Sequence, residues 1–350
     1  MDFELDEEQR ALRDAVRGLL KGYDPANDAE RRRQVVATDP GYDTSLWGRY
    51  AELGLLGLPF SEEDGGAGAG PAEVAVVAEE IGRVLAPEPY VASVVLAGGL
   101  VAAAGSAEQR AELLGGLASG ERLLAFARAD RDGVAEPVIQ GAAADTIVWM
   151  VGDELFVAPR PGDAIASRTY DGGRSARLVF DAAAATRIGS ATDEATQVAF
   201  ARARIAACHE ALGAMESALA MTVDYLKTRQ QFGVTLNRFQ ALTFRAADCY
   251  TAVELTRSIV TWATMVAAEG TAAQTIEAAA RAKLQVAHAG RQIGQEAIQL
   301  HGGIGMTNEY VVGHYTERLT AINRWLGDER AMVGVLSESL ADHTLLDPLG

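Results

Sequence analysis

An arginine, two amides and an aromatic ring stand close together in Tyr225-Leu-Lys-Thr-Arg-Gln-Gln-Phe-Gly-Val-Thr-Leu-Asn-Arg-Phe-Gln240, where one helical pattern ends and the next begins. Arg229 carries a guanidinium that stays charged at any relevant pH and can grip a pyrophosphate through two parallel hydrogen bonds. Gln231 supplies an amide, Phe232 a stacking face, and Gln240 a further amide at the start of the following helix. Farther along, Gln299-Leu-His-Gly-Gly-Ile-Gly305 again lies between two helical segments, and its glycines let backbone amides approach a ligand closely. Together the stretches suit a phosphate-bearing molecule with a flat ring. The same residues also suit plainer roles: a polar helix end with a packed Phe, and a glycine C-cap at Gly302 and Gly303 before a helix capped by Asn308.

Other chemistries find less support. His301 has no second His, Asp or Glu at ligand spacing, and His209, His288, His314 and His343 are scattered, so no metal site is expected. Cys208 and Cys249 are the two cysteines, both inside apolar helical patterns, and read as core thiols in a reducing compartment. With 31 basic against 48 acidic side chains the formal charge is −17, which repels nucleic acid and acidic lipid surfaces. The acidic start MDFELDEEQR is not of signal-peptide type, and no stretch reaches membrane-spanning length without a charge or glycine break, so a cytoplasmic protein is expected.

The elements that must position these residues fall into three blocks. Residues 1–119 read as helical: Asp6 with Gln9 forms a capping box ahead of Leu12, Val16 and Leu19, Pro71 opens a helix with Val74, Val77, Ile81 and Val84 on one face, and Ser106 with Gln109 begins a short helix ending near Gly115. The glycine-rich run from Leu53 to Gly70 follows no strand and lacks the spacing of a phosphate loop, which leaves a flexible helix-to-helix connection. Residues 120–191 change period, with short runs at 123–126, 137–140, 146–151, 154–159 and 176–180 separated by Gly, Pro and Asp, the pattern of a small β domain. Residues 192–350 turn helical again, with Ile205, Cys208, Leu212, Met215 and Leu219 on one face and further helices over roughly 237–268, 272–300 and 309–339, an antiparallel four-helix bundle.

Arg229-Gln-Gln-Phe-Gly233 with Gln240, Gln299-x-x-Gly-Gly303 and Met306-Thr-Asn-Glu-Tyr310 resemble the FAD-binding signature of the acyl-CoA dehydrogenase family. The order helical, β, helical bundle is that family's arrangement, and the resemblance covers nearly the whole chain. It implies a mainly α fold with an N-terminal helical domain, a reduced middle β domain and a C-terminal four-helix bundle. It further implies FAD as cofactor and an acyl-CoA thioester as substrate, with Arg229, Gln231, Phe232, Gln240, Gln299, Gly302 and Gly303 reaching the FAD of a neighbouring subunit. Phe200-Ala-Arg-Ala-Arg204 is similar to the family's CoA-contacting segment, keeping Arg204 but carrying Ala201 where the family has an acidic residue.

The chain departs from the family where its chemistry is done. A carboxylate must take the proton α to the thioester carbonyl. In most members it sits in a Tyr-Glu-Gly motif that falls here on Asn323-Arg-Trp-Leu-Gly-Asp328, placing Leu326 at the glutamate; in others it sits on the first bundle helix, at the position of Ala203. Neither side chain accepts a proton. Asp328 and Glu329 stand close in sequence and could reach in from an altered loop, Asp328 being the candidate base, though charges that begin a surface helix turn need no such role. The β domain passes from Ala125-Phe-Ala-Arg-Ala-Asp130 to Pro137-Val-Ile-Gln-Gly141 without the segments that cover the flavin ring in the family. Loss of both base and cover beside retained cofactor arms resembles the small subunit of heteromeric acyl-CoA dehydrogenases of the pimeloyl-CoA type. The partner is then a larger acyl-CoA dehydrogenase subunit in a heterodimer or heterotetramer, or a second copy in a homo-oligomer. A self-sufficient enzyme using Asp328 as base, and a flavin-free scaffold binding an acyl-CoA or only its partner, are the other readings.

Overall fold

The computed structural model describes residues 4–25, 28, 30–307 and 310–338. Helices α1 (Glu7–Leu20), α2 (Arg31–Ala37), α3 (Thr44–Glu52), α4 (Pro71–Val84), α5 (Gly99–Ala104) and α6 (Ala107–Ala118) come first, with a π-helical segment over Tyr90–Gly98 leading into α5. Both capping boxes form, Asp6 with Gln9 and Ser106 with Gln109, and Pro71 occupies the first turn of α4. The run from Leu53 to Gly70 is set rather than flexible. Gly66 and Ala67 donate back to Ser61 and Gly57, Phe60 is buried beneath them, and a Cβ on Gly66 would meet the Phe60 carbonyl at 2.3 Å.

Seven strands follow: β1 (Leu124–Ala129), β2 (Val134–Ile139), β3 (Thr146–Val151), β4 (Glu154–Pro159), β5 (Ile165–Arg168), β6 (Arg174–Val179) and β7 (Thr186–Ser190). One sheet has the order β1-β3-β4-β7 and the other β2-β6-β5. β3, Thr-Ile-Val-Trp-Met-Val, is buried at five of its six positions because both faces are covered, and it pairs parallel to β1 and antiparallel to β4. Trp149 at its centre meets Phe180 edge-on at 5.4 Å. β5 and β7 escape the sequence pattern: they are edge strands with mostly exposed side chains, so no apolar alternation marks them.

The bundle is α7 (Glu194–Thr228), a hairpin of β8 (Gln230–Gln231) and β9 (Val234–Thr235), α8 (Gln240–Glu269), α9 (Ala272–His301), α10 (Val312–Arg324) and α11 (Glu329–Glu338). The single helix read over 309–339 is in fact two, since Leu326 and Gly327 adopt φ values of +61° and +104°, which no right-handed helix accommodates. Asn308, read as a cap, lies outside the described residues together with Glu309 and His343. α4 crosses α7 at backbone contact. A Cβ on Gly82 would sit 1.8 Å from the Glu210 carbonyl oxygen, and one on Gly213 would sit 2.0 Å from that of Glu79. This crossing fixes the N-terminal helices against the bundle and brings residues 85–92 to the β sheet. Among the described residues no helix is long and apolar enough to cross a membrane.

Candidate functional site

Two regions gather the residues singled out by sequence. The first is the bundle end where α7 and α9 stop. α7 ends at Thr228, Arg229 turns extended, and the chain reverses in a two-residue hairpin whose turn is Phe232-Gly233 with φ values of +55° and +83°. Positive φ at both positions is the backbone a tight hairpin demands, and glycine or asparagine is its usual occupant. A phenylalanine there bears strain and points outward; Phe232 is 91% exposed and touches Phe239 edge-on. Arg229, Gln231 and Gln240 are exposed as well, and Arg229 forms no ion pair with a described residue.

α9 ends beside this hairpin. Gly302 closes the helix at φ +66°, ψ −143°, donating to Gln299 and Ile298, a conformation only glycine adopts readily. A Cβ built on Gly302 or Gly303 meets nothing within 4 Å, so the backbone there lies open, with Gln299 exposed at its edge. What holds the two ends together is a stack of rings: His301 lies 4.6 Å from Tyr225 of α7 and 4.9 Å from Tyr310. His301 is buried, its Nδ1–H donates to the Ala297 carbonyl at 2.7 Å, and burial pushes its pKa below the ordinary value, so its ring packs as an aromatic.

The second region is a cavity of about 440 Å³ between the β sheet and the bundle, at the break between α10 and α11. Phe126 of β1 and Phe200 of α7 meet edge-on at 5.4 Å in its wall. Arg204, Arg128, Arg324 and Leu326 also line it. Arg204 is not a solvated surface residue: its Nε donates to the Leu326 carbonyl at 2.9 Å. Burial, and then the nearby Arg128, lower its pKa. From the other side the buried Lys283 donates to the Ile322 carbonyl, its pKa lowered to about 8 by burial. Two cations thus grip the backbone around the loop that carries Leu326. Ala203 is wholly buried in the bundle core. Asp328 is exposed, caps α11 through the Ala331 amide at 3.0 Å, and is absent from the cavity lining; Glu329 is taken up by His288 and Arg291.

Sequence reading missed Glu136 of β2, the one carboxylate lining this cavity, and the cations Arg128 and Arg324. Glu136 is exposed and faces Arg177 at 3.8 Å. Nothing in a strand of mixed pattern flags these three, because they meet only once the sheet closes on α7. No group of three or more His, Cys, Asp or Glu able to hold a metal occurs among the described residues. Cys208 and Cys249 are buried, with thiol pKa values pushed up by burial to about 12 and about 11.

FAD, implied by the resemblance, can be tested against this geometry. The bundle end fits its pyrophosphate and ring edge, with an exposed guanidinium in no ion pair among the described residues, open glycine backbone and an outward aromatic ring. The β sheet fits its ring less well, because β1 passes to β2 through the tight turn Asp130–Gly133, closed by a hydrogen bond from Gly133 to the Asp130 carbonyl at 3.1 Å, and carries no covering insert.

Comparison with known proteins is consistent along the chain. The family model described as "Acyl-CoA dehydrogenase, N-terminal domain" matches residues 6–121, and "Acyl-CoA dehydrogenase, C-terminal domain" matches residues 194–341. The acyl-CoA dehydrogenase IpdE2 of Mycobacterium tuberculosis is 34% identical over 323 residues, covering 89% of this chain and 91% of that protein. The ChsE4–ChsE5 complex from Mycobacterium tuberculosis contains a chain that superposes with a TM-score of 0.87 at 26% identity, over 99% of this chain and 100% of that one. A variant of the Tcur3481–Tcur3483 steroid ACAD gives 0.84 at 29% identity, over 96% and 98%.

Proposed function

The chain belongs to the acyl-CoA dehydrogenase family, and we propose that within it the chain is the base-lacking small subunit of a heteromer, completing an FAD site across a subunit interface. Arg229 would pair with the pyrophosphate, Gln231, Phe232 and Gln240 would border the cofactor, and the backbone at Gly302 and Gly303 with Gln299 would close over it. When bound, FAD supplies the hydride acceptor for α,β-dehydrogenation of an acyl-CoA thioester. The observation that carries the reading is the side chain at the cavity. Leu326 stands at the cavity with its own carbonyl held by Arg204, yet it offers no proton acceptor. The ChsE4–ChsE5 complex and the Tcur3481–Tcur3483 steroid ACAD, each of two named polypeptides, support a heteromer and favour a steroid-derived acyl group as substrate class.

The test is an artificial-electron-acceptor assay over short, medium, dicarboxyl and steroid thioesters, run on the chain alone and with an acyl-CoA dehydrogenase encoded beside it. A general base contributes roughly 10²–10⁴-fold, so the chain alone should give no measurable turnover while the pair turns over and shows a flavin spectrum. Robust turnover by the chain alone, abolished in Asp328→Asn or Glu136→Gln, would replace this reading with a self-sufficient enzyme. Absence of flavin from both preparations would replace it with a scaffold.

A further inference from the structure

The bundle end offers a ligand two groups from different helices, the Arg229 guanidinium beyond α7 and the open backbone at Gly302 and Gly303 beyond α9. Neither is held directly. The Arg229 side chain is exposed and in no ion pair among the described residues, and a Cβ on Gly302 or Gly303 meets nothing within 4 Å. Their separation depends on what joins the last turns of α7 and α9. Arg245 and Glu296, 2.6 Å apart, join α8 to α9, but α7 needs a link of its own.

That link is a triangle of rings. His301, the last residue of α9, has its ring 4.6 Å from that of Tyr225 at an interplanar angle of 29°, and Tyr310 closes over the pair, 4.9 Å from His301 and 6.4 Å from Tyr225. His301 and Tyr225 each stand next to a ligand-directed group. Arg229 donates its backbone N–H to the Tyr225 carbonyl at 2.8 Å, and its own carbonyl accepts from Leu236 at 2.9 Å, so the hairpin is anchored on Tyr225. Gly302 directly follows His301 and closes the helix. The imidazole plane is locked, since Nδ1–H donates to the Ala297 carbonyl at 2.7 Å. Its other nitrogen, Nε2, is buried without a partner among the described residues, an uncommon state for a polar atom. What the site draws from His301 is thus a flat ring of fixed orientation. Aromatic pairs at these distances prefer particular orientations, which resists sliding of one helix end past the other.

We propose that His301 is a positioning residue for the cofactor site: its ring, held between Tyr225 and Tyr310, fixes the spacing between the Arg229 hairpin and the Gly302–Gly303 turn so that both reach one phosphate-bearing ligand. This rests on the FAD site proposed above. It goes beyond that site's contacts, because His301 is 3% exposed and acts through Arg229 instead of touching the ligand. The role belongs to the ring, so phenylalanine can take it over and alanine cannot.

Dissociation constants for FAD, measured on the assembled complex, test this. His301→Ala should weaken binding about tenfold, the scale of two aromatic contacts, and His301→Phe should restore it to within about twofold of the unaltered complex. If His301 works by placing Arg229, the two losses are not independent, and Arg229→Ala should weaken binding markedly less in the His301→Ala background than alone. A residue that merely supports the fold would lower affinity by the same factor whichever side chain stands at position 229. Melting temperatures of the isolated variants show that each is folded at the assay temperature. Should His301→Ala not fold, Tyr310→Ala, which removes the outer ring, takes its place beside Arg229→Ala and should weaken binding about threefold with the same coupling. Independent losses, equal losses in His301→Phe and His301→Ala, or no loss in His301→Ala overturn the proposal while Arg229→Ala still loses flavin. If Arg229→Ala loses none, the cofactor site itself fails, and this inference with it.

Discussion

Where α7 and α9 stop, Arg229 is exposed with no acidic partner among the described residues, Phe232 is held outward on a strained turn, and the backbone at Gly302 and Gly303 lies open. Where α10 meets the sheet, Arg318 is clasped instead by two buried carboxylates, Glu210 at 2.7 Å and Asp171 at 2.8 Å, with Arg32 donating to the Asp171 carbonyl at 2.7 Å. The same residue type serves opposite ends. A guanidinium whose partners are internal holds a fold together, whereas an exposed one that no described carboxylate pairs contributes little to it.

The comparison breaks first at Arg318. Its loss leaves Asp171 and Glu210, 4% and 5% exposed, without the guanidinium that bridges them and with Arg32 as the remaining nearby cation. Removing one partner of a buried ion pair costs about 3–5 kcal/mol. Arg318→Leu should therefore lower chemical-denaturation stability by about that much, whereas Arg229→Leu should leave it within about 0.5 kcal/mol, as is usual at exposed sites. Equal losses at both positions would mean that the bundle end is also held by its arginine.

A somewhat smaller effect belongs to Glu88, on the interior side of the comparison. Burial raises its pKa to about 7, above the ordinary carboxylate value, so the folded chain keeps a proton that the unfolded chain has released. Stability from this group is present at low pH, falls between about pH 4.5 and 7 at up to about 1.4 kcal/mol per unit, and is lost above pH 7, on the order of 3 kcal/mol in all. Glu88→Gln keeps the acceptor for Tyr23 and Asp43 and carries no charge. Subtracting its denaturation curve from that of the unaltered chain isolates this slope from Glu216, which burial also raises to about 7. The variant should match the unaltered chain near pH 4 and exceed it at pH 8; a pH-independent difference would mean that Glu88 is already neutral or already charged across the range.

How legible each region was in the sequence follows from how local its parts are. The bundle end is written in two contiguous stretches, around Arg229 and around Gly302, and spacing alone placed both at helix ends. The helix break was also encoded locally, in Leu326-Gly327, but positive φ at a leucine has no sequence signature, and the apolar period runs on past it. The interior was not legible. Glu88, Tyr90, Gln140, Arg128 and Trp325 come from separate segments and converge only because Gly82 and Gly213 let α4 and α7 touch. Asp328 shows the reverse case, a residue whose sequence position suggested chemistry and whose place in the fold is a helix cap.

The open end is sharpened most by paired substitutions at Arg229. A charge-assisted hydrogen bond contributes about 1.5–3 kcal/mol, so Arg229→Ala should weaken FAD binding by the assembled complex about 10- to 100-fold. Arg229→Lys should recover part of this, because an ammonium keeps the charge and loses the two-pronged geometry that matches a pyrophosphate. Neither substitution should move the melting temperature of the isolated chain, since the side chain is exposed. Flavin stoichiometry and dissociation constants for both variants, measured in the complex, separate the alternatives. A graded loss of flavin with Lys between Arg and Ala marks a cation directed at a neighbour's phosphate. Full flavin content in both would make Arg229 an ordinary solvated helix end, and the contrast with Arg318 would then reduce to the difference between surface and interior.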